Sequence, residues 1–238
     1  MSSPAAHLDS PEYDRWSSLW WQRRGPFASL RWLAQERATH VPPAAGENPV
    51  LLDVACGGGL LHPYLAGKGY RHVGVDLSTK SAEVAIRHGV DEVIIGDISD
   101  IPLDDGFADV VVAGQCLEHV TRPMDVVAEC CRLLKPGGTL IIDTIANTWL
   151  AKMAVITLGE NIPFTWAAPC GSHDRRLFVD PGLLAGWCAE NGVPVRVFGL
   201  VPRAGDLLAW AMRWREEDVV MRDIRSAKIL YRVIGRKA

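Results

Sequence analysis

The chain has 238 residues, 48% hydrophobic and 22% charged, with a formal net charge of −3 and a pI near 6.2. That apolar content is enough for a sizeable core, and no basic surplus marks a nucleic-acid partner. No run of about 18 apolar residues occurs, so no membrane-spanning helix is expected, and the opening MSSPAAHLDSPEYDRW lacks the basic start and apolar stretch of a signal peptide.

In chain order, residues 9–41 read as helix, with apolar residues at Trp16, Leu19, Trp20, Leu30 and Leu33 and a break at Gly25-Pro26. Four tryptophans, Trp16, Trp20, Trp21 and Trp32, crowd this stretch, either as packing or as an aromatic wall for an apolar substrate. The loop VPPAAGENP precedes the apolar strand VLLDVA, then a helix over 60–66 that Gly67 and Gly69 end. HVGVDL is a second strand. STKSAEVAIRHG is a helix capped by Ser78 and closed at Gly89. EVIIGDI and ADVVVAGQ are the third and fourth strands, PMDVVAECCRLL a helix, KPGG a turn and TLIIDTI a fifth strand. Beyond it come the helix DPGLLAGWCAENG and the strands PVRVFGLV and KILYRVIGR. The alternation predicts an α/β fold with a doubly wound, mostly parallel sheet covered on both faces.

The six cysteines, Cys56, Cys116, Cys130, Cys131, Cys170 and Cys188, form no CxxC pair and no zinc spacing. They read as reduced thiols of a cytoplasmic protein, with Cys130-Cys131 filling core, and no metal site is expected.

The run LLDVACGGG places glycines directly behind the first strand, and Asp76 ends the second. Glycines let a backbone approach a ligand, the next helix offers free N–H groups, and a strand-end acid can bridge two ribose hydroxyls. The glycine spacing does not match GxGxxG, and no GxxxxGK[ST] occurs. A nucleoside ligand without phosphates is the reading that remains.

The ordered set LLDVACGGG, VGVDLS, GDISDIPL, FADVVVAGQCLEHV and LLKPGGTLII resembles the class I S-adenosylmethionine-dependent methyltransferases, whose core is Rossmann-like. SLWWQRRGPFASLRWLAQERATHV and CGSHDRRLFVDPGLLAGW are similar to the flanks of the ubiquinone-biosynthesis O-methyltransferases. The resemblance implies a domain with an N-terminal helical lid (1–41), a cofactor core (42–145), a substrate-side insertion (146–178) and a C-terminal part of the core (179–238). It implies S-adenosylmethionine as cofactor. Arg37 would reach the methionine carboxylate, and Asp53, Ala55, Gly57 and Gly59 would form the loop beneath the methionine and ribose. Asp76 with Leu77 would take the ribose, Asp97 with Ile98 the adenine, and Gly114 with Gln115 would wall the sulfonium. Two residues depart from the pattern: Ala55 stands where relatives have glycine, and Gln115 where many have a glutamate. Some relatives use that glutamate, with the Glu-His that follows, for a divalent metal, so its loss argues against a metal here.

The implied reaction is methyl transfer to the hydroxyl of a phenol or catechol, including a polyprenylated quinone precursor. A soluble metabolite or sugar as acceptor, and a SAM-binding protein without turnover, are the alternatives. A phenol needs a base. His173, with Asp174 to orient its ring, is the first choice and His119 the second; the pair Glu118-His119 has an equally plain reading as a buried helix start. The apolar stretch 147–174 is either an internal lid or, over 147–166, a peripheral membrane contact that delivers a lipid-like substrate. The oligomeric state is open.

Overall fold

The computed structural model describes residue 14, residues 16–159, residue 174 and residues 176–238. After a 3-10 turn at Ser17–Leu19 and turns through Gly25-Pro26, helix α1 runs Ala28–Thr39. Strand β1 (Val50–Val54) leads into the glycine loop and a 3-10 helix at His62–Leu65. Then follow β2 (Arg71–Asp76), α2 (Thr79–Arg87), β3 (Glu92–Ile95), β4 (Ala108–Gly114), a 3-10 turn at Leu117–His119, α3 (Pro123–Leu133) and β5 (Leu134–Ile145). One α-helical turn at Trp149–Ala151 continues as a π-helix at Lys152–Gly159. The chain closes with α4 (Pro181–Glu190), β6 (Val195–Pro202), α5 (Ala204–Ala211), β7 (Met221–Ile224) and β8 (Leu230–Arg236).

All eight strands join one sheet in the order β3-β2-β1-β4-β5-β8-β6-β7. The first five are parallel, and β8, β6 and β7 continue the sheet in antiparallel pairs. The strand order reverses between β1 and β4, which opens a crevice at their C-terminal ends. Alternate residues of each strand feed opposite faces. Leu52, Val54, Val73, Val75 and Val111 pack with Val127, Cys130, Cys131, Leu184 and Cys188 on one side. Leu51, Val110, Val112 and Ile141 pack with Trp20, Phe27, Ala34, Ala38, Leu61 and Val84 on the other.

Four expectations change. The helix expected over 60–66 is a single 3-10 stretch; Pro63, lacking an N–H, stands at its first turn. The KPGG turn is a bulge inside β5, where the pairing jumps from Ala108↔Leu134 to Val110↔Thr139. α5 and β7 went unread, because the one is short and holds Gly205 and the other is an edge strand with alternating exposure. Last, α1, expected as part of a lid, packs into the core. It buries Ala28, Trp32, Leu33, Ala34 and Ala38, and the Trp32 ring meets Trp210 edge-on at 5.0 Å.

Candidate active site

Arg37 meets two buried acids, Asp143 of β5 and Asp53 of β1, near the C-terminal ends of the parallel strands. Arg37 comes from α1, where the helix lies across the sheet. Its Nε donates to Asp143 Oδ1 at 2.5 Å and its Nη2 to Asp143 Oδ2 at 2.7 Å, a bidentate pair with both side chains buried. Burial alone would lower the Arg37 pKa; the facing Asp143 carboxylate outweighs it and raises it, and Asp53 adds to the effect. The guanidinium lies over Gly114, where a Cβ would come within 2.2 Å of Arg37 Cζ. Only glycine at the end of β4 admits it. The third nitrogen, Nη1, is left for another partner.

Asp76 ends β2 with both oxygens engaged: Oδ2 accepts from Gly57 N at 2.8 Å and Oδ1 from Ser78 N at 2.9 Å. Burial pushes its carboxyl above the usual range, against the pull of those N–H groups. The strand-end acid therefore ties the glycine loop to the start of α2. Leu77 beside it is 37% exposed, an apolar side chain at the mouth of the crevice. β3 stops at Ile95, so Asp97 and Ile98 lie in the loop beyond it. Ile98 is buried; Asp97 is exposed and accepts from Ser99 N and Oγ, both at 2.8 Å.

Both departures from the family pattern sit in the left-handed backbone region, Ala55 at φ 58° and Gln115 at φ 54°. There a Cβ is disfavoured by about 1–2 kcal/mol, which is why glycine is the usual occupant of the first position. The Gln115 side-chain nitrogen is buried without a partner among the described residues.

Asp53 is buried and its Oδ2 lies 3.4 Å from His72 Nε2, with His62 stacked beyond at 5.4 Å. Of the base candidates, His173 lies outside the described residues. Asp174 accepts from Arg176 through its backbone N–H, Nε and Nη2, the last at 2.5 Å. His119 is half-buried in the 3-10 turn after β4. The stretch 147–174, proposed as a lid or over 147–166 as a membrane contact, includes Trp149, which is 70% exposed; its residues 160–173 lie outside the described residues.

Sequence reasoning passed over Asp143 and Arg232, and read Glu118 only as part of a buried helix start. Asp143 is a lone acid in the apolar strand TLIIDTI, and that isolation was the available signal, since a buried charge needs a partner. Arg232 in LYRVIGR is the same signal with opposite sign: it is fully buried, opposite Asp143 in register, and paired with Glu36 of α1. Glu118 is wholly buried. Thr144 Oγ1 donates to its Oε2 at 2.6 Å while Oε1 has no partner among the described residues, and burial pushes its carboxyl up to about 7. Among the described residues the one cluster with metal-ligand geometry is Glu36, His40 and Asp223, whose ligand atoms lie within 4.8 Å of one another. Arg232 Nη1 already contacts Glu36 and stands 3.6 Å from Asp223, so the positive charge there is supplied by the chain.

Asp53 and Asp76 bring carboxyl groups to the crevice, each already facing groups of the chain, Arg37 Nη1 has no hydrogen-bond partner among the described residues, and Leu77 adds an apolar surface. In a doubly wound sheet, a crevice at the point where the strand order reverses is where ligands bind. Residues 52–142 match a family model described as a methyltransferase domain. The chain is 30% identical over 202 residues to the ubiquinone biosynthesis O-methyltransferase of Pseudomonas aeruginosa, covering 82% of this chain and 86% of the relative. It is 32% identical over 191 residues to that of Xylella fastidiosa, covering 76% of each. Among solved structures, a SAM-dependent methyltransferase of Thermotoga maritima superposes with a TM-score of 0.63 at 19% identity, over 98% of both chains. One from Archaeoglobus fulgidus does so with a TM-score of 0.59 at 15% identity, over 87% of this chain and 94% of its own. The chain belongs to the class I S-adenosylmethionine-dependent methyltransferases. It is an enzyme of that family, and S-adenosylmethionine is its cofactor.

Proposed function

We propose that the enzyme methylates a hydroxyl of a phenol or catechol, a polyprenylated quinone precursor being the foremost substrate. The observation that carries this reading is the reach of the likeness. The match to the ubiquinone biosynthesis O-methyltransferases spans 82% of the chain, well beyond the core at 52–142 that methyltransferases of many substrates share.

In this reading Arg37 holds the methionine carboxylate through the nitrogen that Asp143 leaves. Asp76 takes the ribose hydroxyls, Leu77, Asp97 and Ile98 flank the adenine, and the carbonyls of Gly114 and Gln115 face the sulfonium. Ala55, Gly57 and Gly59 form the floor with Asp53 beneath. When bound, S-adenosylmethionine supplies a methyl group already activated on sulfur. The chain's own residues then have three tasks: to hold the acceptor oxygen in line, to exclude water, and to take the hydroxyl proton. A ring nitrogen of His173 receives that proton, with Asp174 near it in sequence, and His119 is the second choice. Segment 147–166 guides an apolar substrate to the site and touches the membrane surface while doing so.

The test offers S-adenosylmethionine with a demethylated polyprenyl catechol, a short-chain catechol, and a sugar and an amine as controls. Mass spectrometry should find a new O-methyl group on the catechols only. Methylation of the amine or sugar alone would overturn the proposal. His173→Ala should lower the catechol rate by on the order of 100-fold with cofactor affinity unchanged; a fully active variant moves the base to His119.

A further inference from the structure

The N-terminal tryptophans are committed to the cofactor loop. The Trp20 ring lies flat against the glycines: a Cβ at Gly58 would fall 2.5 Å from Trp20 Cγ, and one at Gly57 2.6 Å from Trp20 Cη2. Phe27 stacks on the other side of the indole at 4.2 Å. Trp20 Nε1 donates to Ser81 Oγ at 3.1 Å. Ser81 N donates to Ser78 Oγ at 3.0 Å, Ser78 N to Asp76, and Gly57 N to Asp76 again. Ser78 Oγ in turn donates to Asp14 at 2.7 Å. Trp21 repeats the contact one residue on: its Nε1 donates to the carbonyl of Gly58 at 2.9 Å, and its ring stacks on His88 of the α2 C-cap at 4.1 Å.

The contacts close a ring from indole to α2, from α2 to the acid of β2, from that acid to the glycine loop, and from the loop back to the indole. Gly57 and Gly58 thus lack side chains because a tryptophan fills the space their Cβ atoms would need. We propose that Trp20 is a positioning residue for the cofactor, acting through Gly57–Gly58 and the Ser81–Ser78–Asp76 chain and touching no reacting atom. The proposal rests on the reading that Asp76 and the glycine loop hold S-adenosylmethionine. It removes Trp20 and Trp21 from the aromatic wall of a substrate pocket.

The experiment titrates S-adenosylhomocysteine by calorimetry into the full chain and its variants at low temperature, with circular dichroism to establish that each is folded. Trp20→Ala should weaken binding at least about 10-fold. Trp20→Phe and Ser81→Ala, which keep the ring or the fold and lose one hydrogen bond, should each weaken it about 3-fold to 10-fold. Gly58→Ala should also weaken binding about 10-fold, and in a Trp20→Ala background the same methyl should cost less than about 2-fold, because its obstacle is gone. At saturating S-adenosylmethionine, kcat of Trp20→Phe should stay within about 2-fold while KM for the cofactor rises, a split that a loss of folded protein does not give. Wild-type affinity in both Trp20→Phe and Ser81→Ala, or additive losses in the Trp20–Gly58 pair, would overturn the proposal. Asp76→Ala is the separate control: unchanged affinity there would overturn the reading of the site, whatever the tryptophan variants do.

Discussion

Arg37 and Asp143 form a bidentate ion pair, 2.5 and 2.7 Å, with neither side chain open to water, between the first helix and the fifth strand. Breaking one side of such a pair leaves a buried charge alone and costs about 3–5 kcal/mol, whereas replacing both by apolar groups of similar volume is often near neutral. Arg37→Ala should therefore lower the urea midpoint sharply. Arg37→Met with Asp143→Leu should recover most of it and still bind no cofactor, because the proposed carboxylate partner is gone. Urea titration followed by calorimetry separates the two effects; cofactor binding by the double variant would remove Arg37 from the site.

Asp76 offers both oxygens to backbone N–H groups. Its replacement by alanine should weaken S-adenosylhomocysteine binding on the order of 100-fold, from hydrogen bonds to a charged acceptor worth about 1.5–3 kcal/mol each. If affinity is unchanged, Asp76 only ties the loop.

Glu118 gives a pH signature of definite sign. Its carboxyl is raised from 4.5 to about 7 in the fold, so the folded state holds the proton more tightly than the unfolded chain does. The stability this gives is complete below the unfolded value and is lost as pH rises through about 7. Between pH 5 and 8 the wild type should lose on the order of 2–3 kcal/mol relative to Glu118→Gln, which carries no titrating group. Parallel stability profiles of the two proteins would refute the assignment.

Deleting residues 1–41 should abolish cooperative unfolding. α1 supplies the partners of buried Asp143 and Arg232 and one wall of the core. A truncated chain with a sharp thermal transition and near-normal Tm would show that α1 is dispensable cover.

The sheet was legible because its strands are short apolar runs closed by Gly or Asp, and the helices between them carry caps such as Ser78. The crevice was legible for the same reason: Asp76 and Gly114 end β2 and β4, and Gly57 stands in the loop just after β1, where local pattern locates them. Other groups are paired over long sequence distances that no local pattern encodes. Asp143 meets a residue 106 positions away, and Arg31 meets Asp218 187 positions away. α1 misleads for a related reason: its buried face holds Arg31 and Arg37 as well as Trp32 and Leu33, so it lacks a clean apolar stripe. The tryptophans could be read either as wall or as packing until the bare faces of Gly57 and Gly58 appeared beneath Trp20.

The seat of α1 also sets a schedule for the nascent chain. Trp32 needs Trp210, and Arg31 needs Asp218, which follows it by 187 residues. At a synthesis rate of about 5–20 residues per second, the helix waits roughly 10–40 s for its partners. During that interval Trp32 is exposed on a helix that cannot yet dock fully, beside a growing parallel sheet that is slow to close. Ribosome-bound chains stalled before residue 210 should therefore leave Trp32 without its partner ring, and those released after it should bury it.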